Sequence, residues 1–161
     1  MEKLVKFFAT GFGLGYSPFA SGTVGTLPAL LIVIPMAIMD FGIGMQLAVT
    51  AALCIIAVPL CSAAESIFGR KDDGRIVADE YMTFSLCLIG IPWLEWPAFL
   101  AIAFIVSRIM DIIKPPPARE SQALASGIGI VMDDVLANIY ALIVNHLIWR
   151  YAIVKFVLAT T

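Results

Sequence analysis

Charge is scarce in this chain: Asp, Glu, Lys and Arg make up 14% of its 161 residues, against about 25% in an ordinary soluble domain. Ten basic residues against twelve acidic ones leave a net charge of −2 and no basic patch, which excludes nucleic acid as a partner. Histidine occurs once, at His146, so no imidazole metal cluster can form. The three cysteines, Cys54, Cys61 and Cys87, stand in apolar stretches and read as buried packing residues, not as the framework of a secreted disulfide protein. Lys3 and Lys6 lead into a short apolar run and a glycine-rich loop, without the apolar core and cleavage site of a signal peptide, so the N-terminus is expected to be retained.

What is abundant is apolar: 61% of the residues are hydrophobic and the mean hydropathy is +0.97. The charges are also unevenly spaced. Residues 24–64 include Asp40 as their only charge, residues 81–107 only Glu95, and residues 135–149 none. Such runs belong in a bilayer, where the backbone must satisfy its own hydrogen bonds and helices are the available solution. Helices are expected over residues 24–39 and 45–64, parted by a turn containing Gly42 and Gly44. A helical hairpin is expected over 76–113, broken where Pro92 and Pro97 flank Trp93 and Trp96. The prolines after Lys114 stop the chain again, and a last helix is expected from about Asp133 towards Val157. The fold class is therefore all-α: one domain over residues 1–161, a polytopic membrane bundle of about five helices with re-entrant or interfacial polar loops on one side. Eight of the ten basic residues fall on that side, which marks it as cytoplasmic. Arg150 and Lys155 fall on the other.

Three polar segments, 10–26, 65–80 and 108–134, converge there. Gly11, Gly13 and Gly15, then Gly22-Thr23 ahead of a helix, suit either a phosphate cradle or a tight turn with close packing. Asp72 and Asp73 precede Gly74 and read as a solvated turn. Asp79 and Glu80 differ, because they stand at the mouth of an apolar stretch with no cation in the next 27 positions; ionised there, they need a metal or a base nearby. Arg108, Asp111 and Lys114 lie three residues apart on one helix face, as a salt-bridge ladder or as phosphate ligands. Asp133 and Asp134 repel each other beside hydrocarbon, a repulsion a divalent cation resolves, with hard oxygen ligands favouring magnesium or manganese.

In order and pattern these motifs resemble the bacterial phosphatidylglycerophosphatase A family. The likeness runs from Gly11-Phe12-Gly13, Ser17-Pro18 and Gly22-Thr23-Val24-Gly25-Thr26 through Ile76-Val77 and Asp79-Glu80. It continues to Arg108-Ile109-Met110-Asp111, Lys114-Pro115, Pro117, Gly129-Ile130 and Met132-Asp133-Asp134. The chain departs from the pattern at Ser21, Ser126-Gly127, Thr83 and Asn138, where glycine or proline is usual. The resemblance implies a magnesium-dependent hydrolase of the bacterial inner membrane that removes the terminal phosphate of phosphatidylglycerophosphate, in phospholipid biosynthesis, at the cytoplasmic face.

Spacing removes other phosphatase chemistries. A cysteine mechanism needs an arginine six residues after the nucleophile, where this chain has Leu60, Ile67 and Trp93. Neither the aspartyl-phosphate pattern nor the histidine lipid-phosphatase signature is present. A metal-activated water remains. Asp79, Glu80, Asp133 and Asp134 are the expected ligands of one or two Mg2+ ions, and one of them, or Asp111, the expected base. Arg108, Lys114, Thr23, Gly22 and the glycine-loop amides are expected to hold the phosphate of a phospholipid substrate in the bilayer. Two alternatives are a magnesium-dependent lipid-linked transferase and a small non-catalytic ion carrier. Against the first, Asp133-Asp134 lacks a third Asp where Asn138 stands; the second requires acids at mid-span.

Overall fold

The computed structural model describes residues 1–158, with side chains as far as Lys155. It is all-helical, and no strand occurs among the described residues. A short helix α1 (Glu2–Ala9) and a tight loop lead to α2 (Ser21–Gly25) and α3 (Leu30–Ile38), joined by a 3-10 turn at Leu27–Ala29. Helix α4 (Ile43–Phe68) returns; α5 (Ala78–Thr83) runs on as 3-10 turns to Leu88; α6 (Phe99–Ile113) and the single turn α7 (Ala118–Ser121) come next. Helix α8 (Ser126–Ile148) continues in wider π-helical turns over Trp149–Leu158. Among the described residues, three helical stretches are long and apolar enough to cross a membrane: Ser21–Ile38, Ile43–Phe68 and Ser126–Lys155. Their outward residues, among them Leu31, Ile38, Ile55 and Ile143, are exposed and suit contact with lipid.

The interior is built from small residues that let helix axes come close. Ala57, Cys61 and Ala64 on α4, Ala103 on α6, and Ala137 and Ala141 on α8 are fully buried, with Phe84 and Phe99 filling the space between them. Gly127 is the close contact between α8 and α4, because a Cβ there would lie 2.2 Å from the Val58 carbonyl oxygen. Its own N–H donates to Ser62 Oγ at 3.0 Å. These contacts explain why α8 begins at Ser126 and not near Asp133: Ser-Gly-Ile-Gly reads as loop but is the crossing point of α8 on α4. Asp133 and Asp134 consequently sit about two turns inside the helix.

The first arm of the expected hairpin also differs, being one and a half turns of helix and then 3-10 turns in place of a continuous helix over 76–91. Here polar side chains compete for backbone groups. Thr83 Oγ1 donates to the Asp79 carbonyl at 2.7 Å, and Thr50 and Ser85 share a hydrogen bond of 2.9 Å. Asn138 on α8 ties the layer together, donating to Thr83 Oγ1 at 3.0 Å and accepting from Ser107 Oγ on α6 at 2.7 Å. Two of the chain's departures from the family pattern, Thr83 and Asn138, are thus partners of each other.

The other end of the bundle is tied by side chains to backbone. Gln46 donates to the Phe41 carbonyl at 2.6 Å and accepts from Gly90 N–H at 2.9 Å. His146 meets the Ile89 carbonyl at 2.9 Å, which is the neighbourly hydrogen bond expected of a solitary histidine. Asn145 donates to the Cys87 carbonyl at 2.9 Å. All three cysteines are free, two of them buried and Cys54 half-buried.

Candidate active site

Three helices bring charge to the end of the bundle where α4 finishes, and a fourth approaches them. Helix α5 supplies Asp79 and Glu80, α6 supplies Arg108 and Asp111 and ends at Lys114, α8 supplies Asp133 and Asp134, and α2 approaches with Gly22. The ladder expected on α6 is formed, with Arg108 Nη2 at 2.9 Å from Asp111 Oδ2 and Lys114 Nζ at 3.6 Å from Asp111 Oδ1. Both cations also reach across helices. Arg108 Nη1 lies 3.0 Å from Glu80 Oε2, and Lys114 donates to Asp133. The ladder therefore works as a bridge between α5, α6 and α8 and not as an isolated surface pair.

Five carboxylates face these two cations. Oxygens of Asp111, Asp133 and Asp134 all lie within 4.8 Å of one another, a spacing that suits one metal ion. Asp133 and Asp134 are each 3% exposed, yet Asp79 Oδ1, Asp133 Oδ1 and Asp134 Oδ2 are buried without a hydrogen-bond donor. A buried carboxylate oxygen with no donor is costly. Burial, and then the neighbouring Glu80 charge, push the Asp79 carboxyl well above the usual range. Burial pushes Glu80 up to about 7 against the opposing pull of Arg108 and the Thr26 hydrogen bond. Lys114 is raised: burial disfavours its charge, but the bond to Asp133 and the nearby carboxylates outweigh it.

The expected phosphate-binding residues separate into two groups. Gly22 reaches the cluster, since a Cβ there would lie 2.4 Å from Glu80 Oε1 and 2.8 Å from Arg108 Nη2. Thr23 makes no hydrogen bond among the described residues; the hydroxyl that does is Thr26, donating to Glu80 Oε2 at 2.8 Å and accepting from Arg108 at 3.3 Å. The amides of Gly11, Gly13 and Gly15 are spent on carbonyls of their own turn. Gly15 and Gly25 are explained by packing, because a Cβ would lie 2.2 Å from the Arg75 carbonyl oxygen or 2.5 Å from Val77.

Two residues outside the expected site join it or its support. Gln122, in the connection before α8, donates to Asp133 Oδ2 at 2.9 Å. Asp73 is not part of a solvated turn: it is 5% exposed and gripped by Arg75 through two bonds of 2.7 and 2.8 Å. That guanidinium holds the Asp73 carboxyl below the usual carboxylate range. Arg75 in turn stacks on Phe68, 4.1 Å from the ring centroid. Its i, i+2 spacing from Asp73 was the available signal.

An all-helical membrane bundle with an acidic, donor-poor centre flanked by Arg108 and Lys114 defines a membrane enzyme for a phosphorylated substrate. The chain belongs to the phosphatidylglycerophosphatase A family, whose model matches residues 7–149, and it is a phosphatase. A phosphatidylglycerophosphatase A of Haemophilus influenzae is 39% identical over 142 residues, 87% of this chain and 85% of that protein. One of Escherichia coli is 34% identical over 132 residues, 81% and 75% of the two chains. A Bacteroides thetaiotaomicron protein named "Putative phosphatidylinositol-3-phosphatase" is 37% identical over 139 residues, 83% and 86% of the two chains. No solved structure matches the chain.

Proposed function

We propose that this protein is a magnesium-dependent phosphomonoesterase that converts phosphatidylglycerophosphate to phosphatidylglycerol and inorganic phosphate. It serves phospholipid biosynthesis from the cytoplasmic face of a bacterial inner membrane. The observation that carries the reading is the set of donorless carboxylate oxygens on Asp79, Asp133 and Asp134, beside two cations that are themselves held in place. Hard oxygens at this spacing fit Mg2+, with Asp111, Asp133 and Asp134 as the nearest trio and Asp79 and Glu80 beside them. A bound divalent ion would polarise the phosphoryl group and lower the pKa of a water.

The chain's own residues supply the rest. Arg108 and Lys114 hold the phosphate oxygens and the charge that develops on them, the main demand of phosphoryl transfer. Arg108 Nε has no partner in the protein and is the donor left for that task. Asp111 is engaged by both cations, which suits a ligand better than a base. Asp79, ionised and with no donor on its buried Oδ1, accepts a proton at that atom as the water oxygen bonds to phosphorus. The ester P–O bond then breaks, and Asp79 passes the proton it took from the water to the leaving glycerol oxygen, which returns the carboxylate to its starting state.

The family and two of the three named relatives point to phosphatidylglycerophosphate, and the third points to a phosphoinositide. Both lipids carry a phosphomonoester on a headgroup. Phosphate release by purified protein from each, with magnesium and with chelator, tests the reading. Release from phosphatidylglycerophosphate that chelation abolishes and magnesium restores is expected. No release, or preference for the phosphoinositide, would overturn it. The ion-carrier alternative calls for acids at mid-span, whereas these gather at one end of the bundle.

A further inference from the structure

A cavity of about 270 Å³ opens beside the carboxylate cluster, lined by Lys71, Asp72, Gln122, Gly129, Ile130 and Asp133. Asp133 is the one residue it shares with the acidic centre, so it is an extension of that centre and not a second site. Its size is close to the lower end of small-molecule sites, about 300 Å³, which leaves room for a headgroup fragment and none for acyl chains. The lining is mixed: Lys71 makes no ion pair among the described residues, and Gln122 spends its amide N–H on Asp133 at 2.9 Å while its carbonyl oxygen has no protein donor. Asp72 is exposed, its backbone held in the left-handed region at φ +49, its N–H donating to Glu65 Oε1 at 3.3 Å. Gly129 contributes bare backbone to the wall, and a Cβ there would lie 2.6 Å from the Leu124 carbonyl oxygen.

We infer that this cavity is the headgroup subsite, and that Lys71, Asp72 and Gln122 select a phosphomonoester lipid by the groups that link its terminal phosphate to the diacylglycerol. The inference rests on the proposed function above. With the terminal phosphate between Arg108 and Lys114, the substrate continues through a hydroxyl-bearing glycerol to a phosphodiester anion. Asp72 accepts the one proton of the glycerol hydroxyl, the Gln122 carbonyl is the neighbouring acceptor on the wall, and Lys71 neutralises the diester. Without Lys71 the unpaired charge lining the cavity is that of Asp72, which repels the diester, since Asp133 is already held by Lys114 and Gln122. Phosphatidate carries its phosphate directly on diacylglycerol and offers this subsite neither group.

Two soluble probes separate the subsite from the reacting centre: inorganic phosphate, and the deacylated headgroup, glycerophosphoglycerol phosphate. Each is titrated into full-length protein with magnesium in detergent, and each is tested as an inhibitor of phosphatidylglycerophosphate hydrolysis. Lys71→Gln is expected to weaken the headgroup about tenfold, the loss of one charge-assisted contact, and inorganic phosphate less than twofold. Lys71→Arg should restore binding, and Asp72→Asn should weaken the headgroup alone. Headgroup affinity unchanged in both Lys71→Gln and Asp72→Asn, or equal loss of both probes, overturns the subsite. If wild-type protein binds the headgroup in a Lys71-dependent way but releases no phosphate from the lipid, the proposed function fails and the subsite stands.

Discussion

The two ends of the bundle use the same kinds of residue in opposite ways. At the end holding Gln46, Asn145 and His146, each of these three side chains meets a backbone group, at 2.6 to 2.9 Å, and what is left without a partner among the described residues is one neutral amide oxygen, Asn145 Oδ1. At the other end, Asp79, Asp133 and Asp134 face one another and keep oxygens that no donor reaches. A membrane protein needs the first arrangement to stay folded, because unsatisfied backbone in hydrocarbon costs several kcal/mol. The second costs stability, and the proposed function supplies a reason to keep it: a divalent cation would partner those oxygens. Exposed charge alone would not separate the ends, since Asp40 and Glu95 line a cavity of about 270 Å³ at the first.

The largest effect that would sharpen this contrast is expected at Asp133 and Asp134. Asn in either place removes an anionic ligand but keeps size, so phosphate release should fall by at least about a hundredfold while the protein still unfolds cooperatively in detergent. Folded Asp133→Asn or Asp134→Asn protein with near-normal turnover at limiting magnesium would erase the distinction between the ends. Next come Arg108→Ala and Lys114→Ala, expected to lower kcat/KM by roughly 10- to 100-fold, as for loss of a hydrogen bond to a charged group. Lower melting temperature at unchanged kcat/KM would instead make the pair structural.

A smaller effect concerns pH. Glu80, pushed up to about 7, takes up a proton as pH falls through that value and releases Arg108, so activity should decline on the acid side of neutrality. The Thr26 hydrogen bond favours the charged carboxylate. Thr26→Val should therefore move the acid limb of the kcat/KM profile to higher pH, and a shift to lower pH would contradict the assigned geometry. The smallest catalytic effect is expected at the opposite end. Gln46→Ala leaves the Phe41 carbonyl and the Gly90 N–H unpartnered, so thermal stability in detergent should drop by about 1–3 kcal/mol, with turnover per folded molecule within twofold of wild type.

Much of this contrast is legible in the sequence. Charge-free runs announce the membrane, and the spacing of Arg108, Asp111 and Lys114 forces them onto one face, where both ion pairs form. The one-sided gathering of acids is a consequence of alternating helices. What escaped depends on partners distant in the chain. Thr26 and Gln122 are ordinary residues until Glu80 and Asp133 stand beside them. Gly127 signals a loop until α4 is seen pressing against it, and Asp73 signals a solvated turn until it is seen to be buried beneath its Arg75 clamp.

Helix α6 has 15 residues, which at 1.5 Å each is about 22 Å, well short of a hydrocarbon core of roughly 30 Å. Its charged end carries Arg108 and Lys114, and those side chains cannot be left in oil. Set in a bilayer, this face would require the membrane to dimple around it, which would lower lipid headgroups towards the proposed metal-binding carboxylates. Membrane thickness would then act on the proposed reaction: host lipids with shorter acyl chains would reduce the cost of the dimple, and thicker membranes would place substrate and carboxylates at different heights.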